Sequence, residues 1–177
     1  MRDEQAVGTV LLNDGGHFIR DAAEADFETL LRLNLESEHV LSPMSRSLLE
    51  TLYAQAWYFR VIGAKDRVQG FLLALREGTG YQSVNYRWFA ARYSEFLYID
   101  RVVIASAARG QLLGKQLYDD LFTVARAAGL KRITCEFDTD PPNEASRRFH
   151  ARFGFREVGS QPVAGGKKTV SLQEVAL

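Results

Sequence analysis

The chain is poor in cysteine: one in 177 residues, Cys135, which is too few for an internal disulfide. With only three histidines, no spacing of Cys and His resembles a metal site, so no metal is expected. These shortages exclude a disulfide-stapled scaffold and a zinc module and point to a reducing compartment. No apolar run reaches membrane-spanning length, and Met1-Arg2-Asp3-Glu4-Gln5 carries two early acids without the apolar stretch of a secretory leader. The expectation is a cytoplasmic protein without a membrane partner. Charge of one sign is also lacking: 22 cations face 22 carboxylates. A chain-wide surface for nucleic acid is therefore not expected, although a local basic patch is allowed. What is present, 46% apolar and 25% charged residues without repeats, suits one globular domain spanning residues 1–177.

Period changes along the chain give the element order. Gly16 to Asp21 reads as a short strand entering a capping box, Asp21 with Glu24, after which Phe27, Leu30, Leu31 and Leu35 share one helical face. Leu48, Leu49 and Leu52 mark a second helix. Trp57 to Ala64 and Val68 to Arg76 read as two strands of a hairpin, and Phe96 to Ile104 as another strand. Between them, Gly78 to Ser94 is long and aromatic for a connection, and loops of that length are often functional. Leu113, Leu117, Leu121, Val124 and Ala128 form one stripe, with Gly129 after its end. Ile133 to Asp138 alternates as a strand. A helix then starts at Pro141-Pro142-Asn143 with Ala145, Phe149 and Phe153 inward, and two strands, from Phe155 and from Lys167, follow. The order β-α-α-β-β-β-α-β-α-β-β is that of an α/β (α+β) protein, a mixed sheet covered by helices.

Chemistry can reside in three places. Ala108-Arg109-Gly110-Gln111-Leu112-Leu113-Gly114-Lys115 turns from a Val/Ile-rich strand into a helix, and helix-start N–H groups beside two cations favour an anion. The strand ending in Ile99-Asp100-Arg101-Val102-Val103-Ile104 sets a carboxylate and a guanidinium in an apolar run, while Thr134, Glu136 and Asp138 share one face of the next strand, opposite Cys135. Asn143, Ser146 and His150, at i, i+3 and i+7, line one side of the following helix.

Arg109-Gly110-Gln111-Leu112-Leu113-Gly114 resembles the R/Q-x-x-G-x-G/A signature of the GNAT (Gcn5-related N-acetyltransferase) superfamily, with Leu112 in place of the first glycine. Asn143 through Phe149-His150-Ala151-Arg152-Phe153-Gly154-Phe155 resembles its second hallmark, with His150 where Tyr is frequent. LYIDRVVI, CEFDTDPPNEAS and RFHARFGFREVG are similar to a bacterial subgroup of predicted GNAT acyltransferases. The resemblance implies a mostly antiparallel sheet of about seven strands flanked by about four helices. It implies acetyl-CoA as cofactor, its pyrophosphate on Arg109, Gly110, Gln111, Leu112, Leu113, Gly114 and Lys115. Its pantetheine arm would pair with Val102, Val103 and Ile104 and be held by Asn143, with Ser146 on the same helical side. It also makes a homodimer plausible.

The expected reaction is direct acyl transfer to a primary amine of a small molecule or peptide. Glu136 and Asp100 are candidate bases, and His150 stands where the family's Tyr protonates the departing thiolate or, alternatively, holds substrate. Glu36, Glu38 and His39 after the first helix, with Tyr81, Tyr86, Trp88 and Tyr98, are candidate acceptor contacts, since carboxylates and aromatics suit a cationic amine. Two other classes stay open: a CoA-binding regulator without turnover, suggested by Leu112 and the missing Tyr, and a nucleic-acid or protein-binding module using Tyr81 to Tyr93 with Arg87 and Arg92.

Overall fold

The computed structural model describes residues 11–12 and 16–177. Its eight strands are β1 (Leu11–Leu12), β2 (His17–Asp21), β3 (Tyr58–Ala64), β4 (Arg67–Arg76), β5 (Leu97–Ile104), β6 (Arg132–Asp140), β7 (Arg156–Val163) and β8 (Lys168–Ala176). They form one mixed sheet in the order β1-β2-β3-β4-β5-β6-β8-β7. β5 and β6 are parallel, while β1/β2, β2/β3, β6/β8 and β7/β8 are antiparallel. The helices are α1 (Phe27–Leu35), α2 (Arg46–Gln55), α3 (Val84–Ala90), α4 (Leu113–Ala127) and α5 (Glu144–Arg152). This is the expected α/β class with one helix and one strand more: the aromatic connection after β4 contains α3, and Leu11–Leu12 adds β1 beside β2. Among the described residues no helix is long and apolar enough to cross a membrane.

The chain packs as two compact units. The first holds the described residues of Met1–Leu73 with Arg101–Asp120; the second holds Ala74–Asp100 with Leu121–Leu177. In the first, Lys65 and Asp66 turn β3 into β4 with φ of 49° and 62°, the left-handed pair that a tight hairpin needs. Its core includes Phe27, Leu30, Leu33, Leu49, Leu52, Ile62 and Phe71, all buried. The α1 face differs from the sequence pattern: Leu35 is 66% exposed, whereas Leu33 and Asn34 are inside. Arg101 explains this, since its buried guanidinium donates to Asn34 Oδ1 at 2.7 Å, and a buried cation has to be hydrogen-bonded. The helix start also moves. Asp26 rather than Asp21 holds it, accepting from Ala23 N–H at 2.9 Å and from both guanidinium nitrogens of Arg20.

In the second unit, α3 docks by shape. Trp88 lies so close over Gly159 of β7 that a Cβ there would stand 2.4 Å from its ring, and Gln161 donates to Asn85 at 2.7 Å. Leu75, Phe89, Phe96, Leu97, Ile133 and Leu172 are buried beside them. On α5 the expected inward Ala145 is exposed and His150 is buried instead, edge-on to Phe149 and Phe155 and stacked on Phe137.

Candidate functional site

The glycine-containing segment from Arg109 to Lys115, the candidate for anion binding, lies in the first unit. β5 ends at Ile104, a 3-10 turn covers Ser106–Ala108, and the backbone becomes left-handed at Gly110 (φ 83°) and Leu112 (φ 62°) before α4 begins. The first helical bond there runs from Gln116 N–H to Leu112 C=O at 3.1 Å, so the N–H groups of Leu113, Gly114 and Lys115 precede it and are not used by the helix. A helix of 15 residues adds its dipole to those donors. Leu112 keeps the backbone shape of the glycine it replaces, and its side chain is 65% exposed. Arg109 and Gln111 are exposed on the same turn, and Lys115 pairs with Asp119 at 2.6 Å on the surface. The residues present fit a pyrophosphate: outward amides at a helix start, two cations, and open space beside Gly110.

Val102, Val103 and Ile104 follow on the same strand as Asp100. The parallel ladder of β5 with β6 comprises Leu97↔Ile133 and Tyr98↔Thr134, so these three lie beyond it along β5. Arg101, between Asp100 and Val102, points to Asn34 and Ser42, which removes it from the chemistry. Glu36, expected as an acceptor contact, instead receives Ser106 N–H and Oγ, both at 3.3 Å, and thereby ties the end of α1 to the start of the anion loop. Glu38 is half-buried and His39 exposed in the same turn.

The second unit holds the titratable centre. Tyr98, fully buried, donates its hydroxyl to Glu136 Oε1 at 3.0 Å. Burial raises the Glu136 carboxyl to about 8, the Tyr98 bond lowering it and the Asp100 charge raising it further. Burial likewise pushes the Tyr98 hydroxyl well above its ordinary value. Asp138, on the same face of β6, is held by Lys168 at 2.8 Å. Cys135, on the other face, is buried and its thiol pushed well up, first by burial and then by Glu136, so it is no nucleophile.

Of the loop aromatics, Tyr86 lies edge-on to Tyr98 (5.6 Å) and to Tyr81 (5.8 Å). Its hydroxyl donates to Arg76 C=O and accepts Thr79 N–H, which fixes the turn after β4. Trp88 belongs to the packing of α3 on β7, not to this group.

Asn143 caps α5, its Oδ1 accepting Ser146 N–H at 3.1 Å. The His150 Nδ1 lies 2.8 Å from Ser146 C=O and 3.1 Å from its Oγ. A carbonyl only accepts, so Nδ1 carries the proton and Nε2 is the acceptor. Burial lowers the pKa to about 4, against the Ser146 carbonyl, which raises it. Imidazolium is therefore absent at neutral pH, which corrects the expectation that His150 supplies acid near pH 7. At 5% exposure it is also closed to a substrate. One network was not foreseen: Asp120 accepts Tyr58 at 2.6 Å and Arg60 at 2.7 and 2.8 Å, and Arg60 in the apolar run Tyr58-Phe59-Arg60-Val61-Ile62 was its signal.

Known proteins resemble this chain in sequence and in fold. Residues 27–155 match the acetyltransferase (GNAT) family. The phosphinothricin N-acetyltransferase of Streptomyces coelicolor is 44% identical over 66 residues, which cover 37% of this chain and 37% of that protein. The chain thus matches little more than a third of that relative's length. Among solved structures, Ard1 from Thermoplasma volcanium is similar with a TM-score of 0.75 at 17% identity, over 92% of this chain and 98% of that one. The acetyltransferase yncA of Salmonella typhimurium, solved with acetyl-CoA, has a TM-score of 0.69 at 19% identity, over 91% and 94%.

Proposed function

Because the chain belongs to the acetyltransferase (GNAT) family, we propose that it is an acetyl-CoA-dependent N-acetyltransferase acting on a primary amine of a small molecule or peptide. Acetyl-CoA supplies an acetyl thioester, whose C–S bond breaks as the amine forms its C–N bond, the sulfur leaving as thiolate. In this reading the N–H groups of Leu113, Gly114 and Lys115, with Gly110, Leu112 and Arg109, hold the pyrophosphate. Val102, Val103 and Ile104 offer backbone groups to the pantetheine arm, and Asn143 and Ser146 contribute polar contacts.

The observation that carries the reading is Glu136, a covered carboxyl hydrogen-bonded to Tyr98 with its pKa raised to about 8. An ammonium with a pKa of about 10 has to lose a proton before it attacks, and a base near the working pH takes it most efficiently. Glu136 accepts that proton and Tyr98 fixes the carboxyl's orientation. Asp100 keeps Glu136 basic and is the weaker candidate for the transfer itself. His150 positions the start of α5 as a neutral ring. A thiolate with an ordinary pKa of about 8.5 leaves without acid assistance and takes its proton from solvent. The reading keeps one catalytic domain over residues 1–177, a homodimer by family resemblance, and cytoplasmic residence, for which the single unpaired Cys135 is the support.

Release of free CoA from acetyl-CoA, followed against a panel of amines, tests it. Amine-dependent release that falls on the order of 100-fold or more in Glu136→Gln is expected. Release unchanged by that substitution removes Glu136 from the role.

A further inference from the structure

The helix α3 bears on how the Glu136 carboxyl is held, an inference that rests on the transfer reading above. Across the sheet, Glu136 of β6 is in register with Leu172 of β8 and Gly159 of β7, and Asp138 is in register with Val170 and Gln161. Side chains paired in this way share a face, so Glu136, Gly159 and Gln161 belong to one side of the sheet. α3 lies on that side. Its Trp88 comes down on Gly159, where a Cβ would stand 2.4 Å from the ring. At the start of the helix, Gln161 Nε2 donates to Asn85 Oδ1 at 2.7 Å, and the Asn85 side chain hydrogen-bonds the Glu136 carboxyl. Ser83, the cap of the same helix, hydrogen-bonds the hydroxyl of Tyr98, which donates to Glu136 Oε1 at 3.0 Å.

A side-chain amide has one acceptor oxygen and one NH2 group that only donates. With Oδ1 taken by Gln161, Asn85 offers its NH2 to Glu136, and a donor favours the ionised carboxylate over the acid. We propose that Asn85 and Gln161 are positioning residues for the base: Gln161, on the edge strand of the sheet, fixes the direction of the Asn85 amide, and Asn85 thereby holds the Glu136 carboxyl in the form that takes a proton from the amine. Burial drives the carboxyl upward, and the bonds from Tyr98 and Asn85 bring it back to about 8. Other groups share its surroundings. Tyr98 and Asp100 belong to β5, and Asp138 of its own strand is bound by Lys168 of β8. Tyr86 of α3 is committed to the turn after β4, and Cys135 lies on the reverse face of β6. None of these is altered when Asn85 or Gln161 is replaced, so a change in the carboxyl's titration reports the amide pair.

The test reads the Glu136 carboxyl directly, by carbon NMR titration of the full chain labelled at its glutamate carboxyls, the resonance being identified by its loss in Glu136→Gln. The pH profile of kcat/KM for amine-dependent CoA release is recorded beside it. Asn85→Leu is expected to raise the titration by about one pH unit, the worth of one donor to a carboxylate, so that kcat/KM falls about tenfold at pH 7 and approaches the parent's value above about pH 10. Gln161→Met, which keeps the length and removes the donor, is expected to raise it by about half a unit in the parent and not at all in the Asn85→Leu background, because its effect runs through Asn85. Gln161 is half-buried on an edge strand, so this variant decides the matter even where Asn85→Leu fails to fold. A titration that Gln161→Met leaves unmoved in the parent overturns the inference, and so does an equal shift in both backgrounds. Upward shifts of the carboxyl that the kcat/KM profile does not follow keep the inference and overturn the transfer reading instead, so the two failures are distinct.

Discussion

At the scale of single residues, burial decides two titrations in opposite senses. His150 sits in an aromatic cage, and burial lowers its pKa to about 4 from an ordinary 6.5. Below 6.5 the unfolded chain binds a proton that the folded chain refuses, so stability falls as pH drops from 6.5 to 4. The loss is about 3 kcal/mol over that window. In His150→Phe, which keeps the ring contacts, this part of the acid destabilisation is expected to vanish. Urea midpoints at pH 7.5 and 4.5 measure it, and an unchanged pH dependence in the variant would place the acid-sensitive group elsewhere. Glu136 is the converse: its folded pKa near 8 lies above that of a free carboxyl, so stability is lost as pH rises toward 8, and above 8 the ionised carboxyl carries the whole penalty. Glu136→Gln is therefore expected to be more stable than the parent at pH 9, by thermal melting, while losing activity.

At the scale of elements, the turn into α4 and the seat of α3 carry their own tests. Leu112 holds a φ of 62°, a region that disfavours any residue with a Cβ, and its exposed side chain contributes little burial. Leu112→Gly should gain about 1 kcal/mol in chemical denaturation and bind acetyl-CoA at least as tightly as the parent. Weaker binding would mean that the leucine itself touches the cofactor. Gly159→Val drives a side chain into Trp88 and should lower stability by about 1–3 kcal/mol, the range for overpacking a filled site. A melting temperature equal to the parent's would show that α3 is not seated there.

These same elements show what could be read from the sequence. The glycine-containing loop, the hairpin turn and the strand carrying Glu136 were legible because their signals are local: positive-φ turns, period-two alternation and helix starts. The phases of α1 and α5 were not. The Asn34 side of α1 turns inward to satisfy Arg101, 67 residues away, and His150 displaces the apolar stripe of α5 because Phe137 and Phe155 enclose it. α3 escaped notice at seven residues, although Ser83, which caps it through Tyr86 N–H, was a usable sign. Glu36 pairing with Ser106 and Tyr98 pairing with Glu136 are long-range contacts that no spacing within the chain reports.

At the scale of the whole molecule, each compact unit carries one half of the proposed chemistry. The first presents the anion loop between β5 and α4; the second presents a carboxyl buried against tyrosines. Family membership supplies the frame in which both have a task, and the neutral overall charge leaves binding to these local features. The central claim is that Glu136 is the base of an amine acetylation. The pH profile of kcat/KM for amine-dependent CoA release, recorded for the parent and for Glu136→Gln, tests it most directly. The account predicts a parent rate that climbs about tenfold per pH unit below 8 and levels above it, with the variant on the order of 100-fold slower and lacking that inflection. A profile with the same inflection in both proteins would contradict it, and CoA binding without release on any amine would favour a regulator.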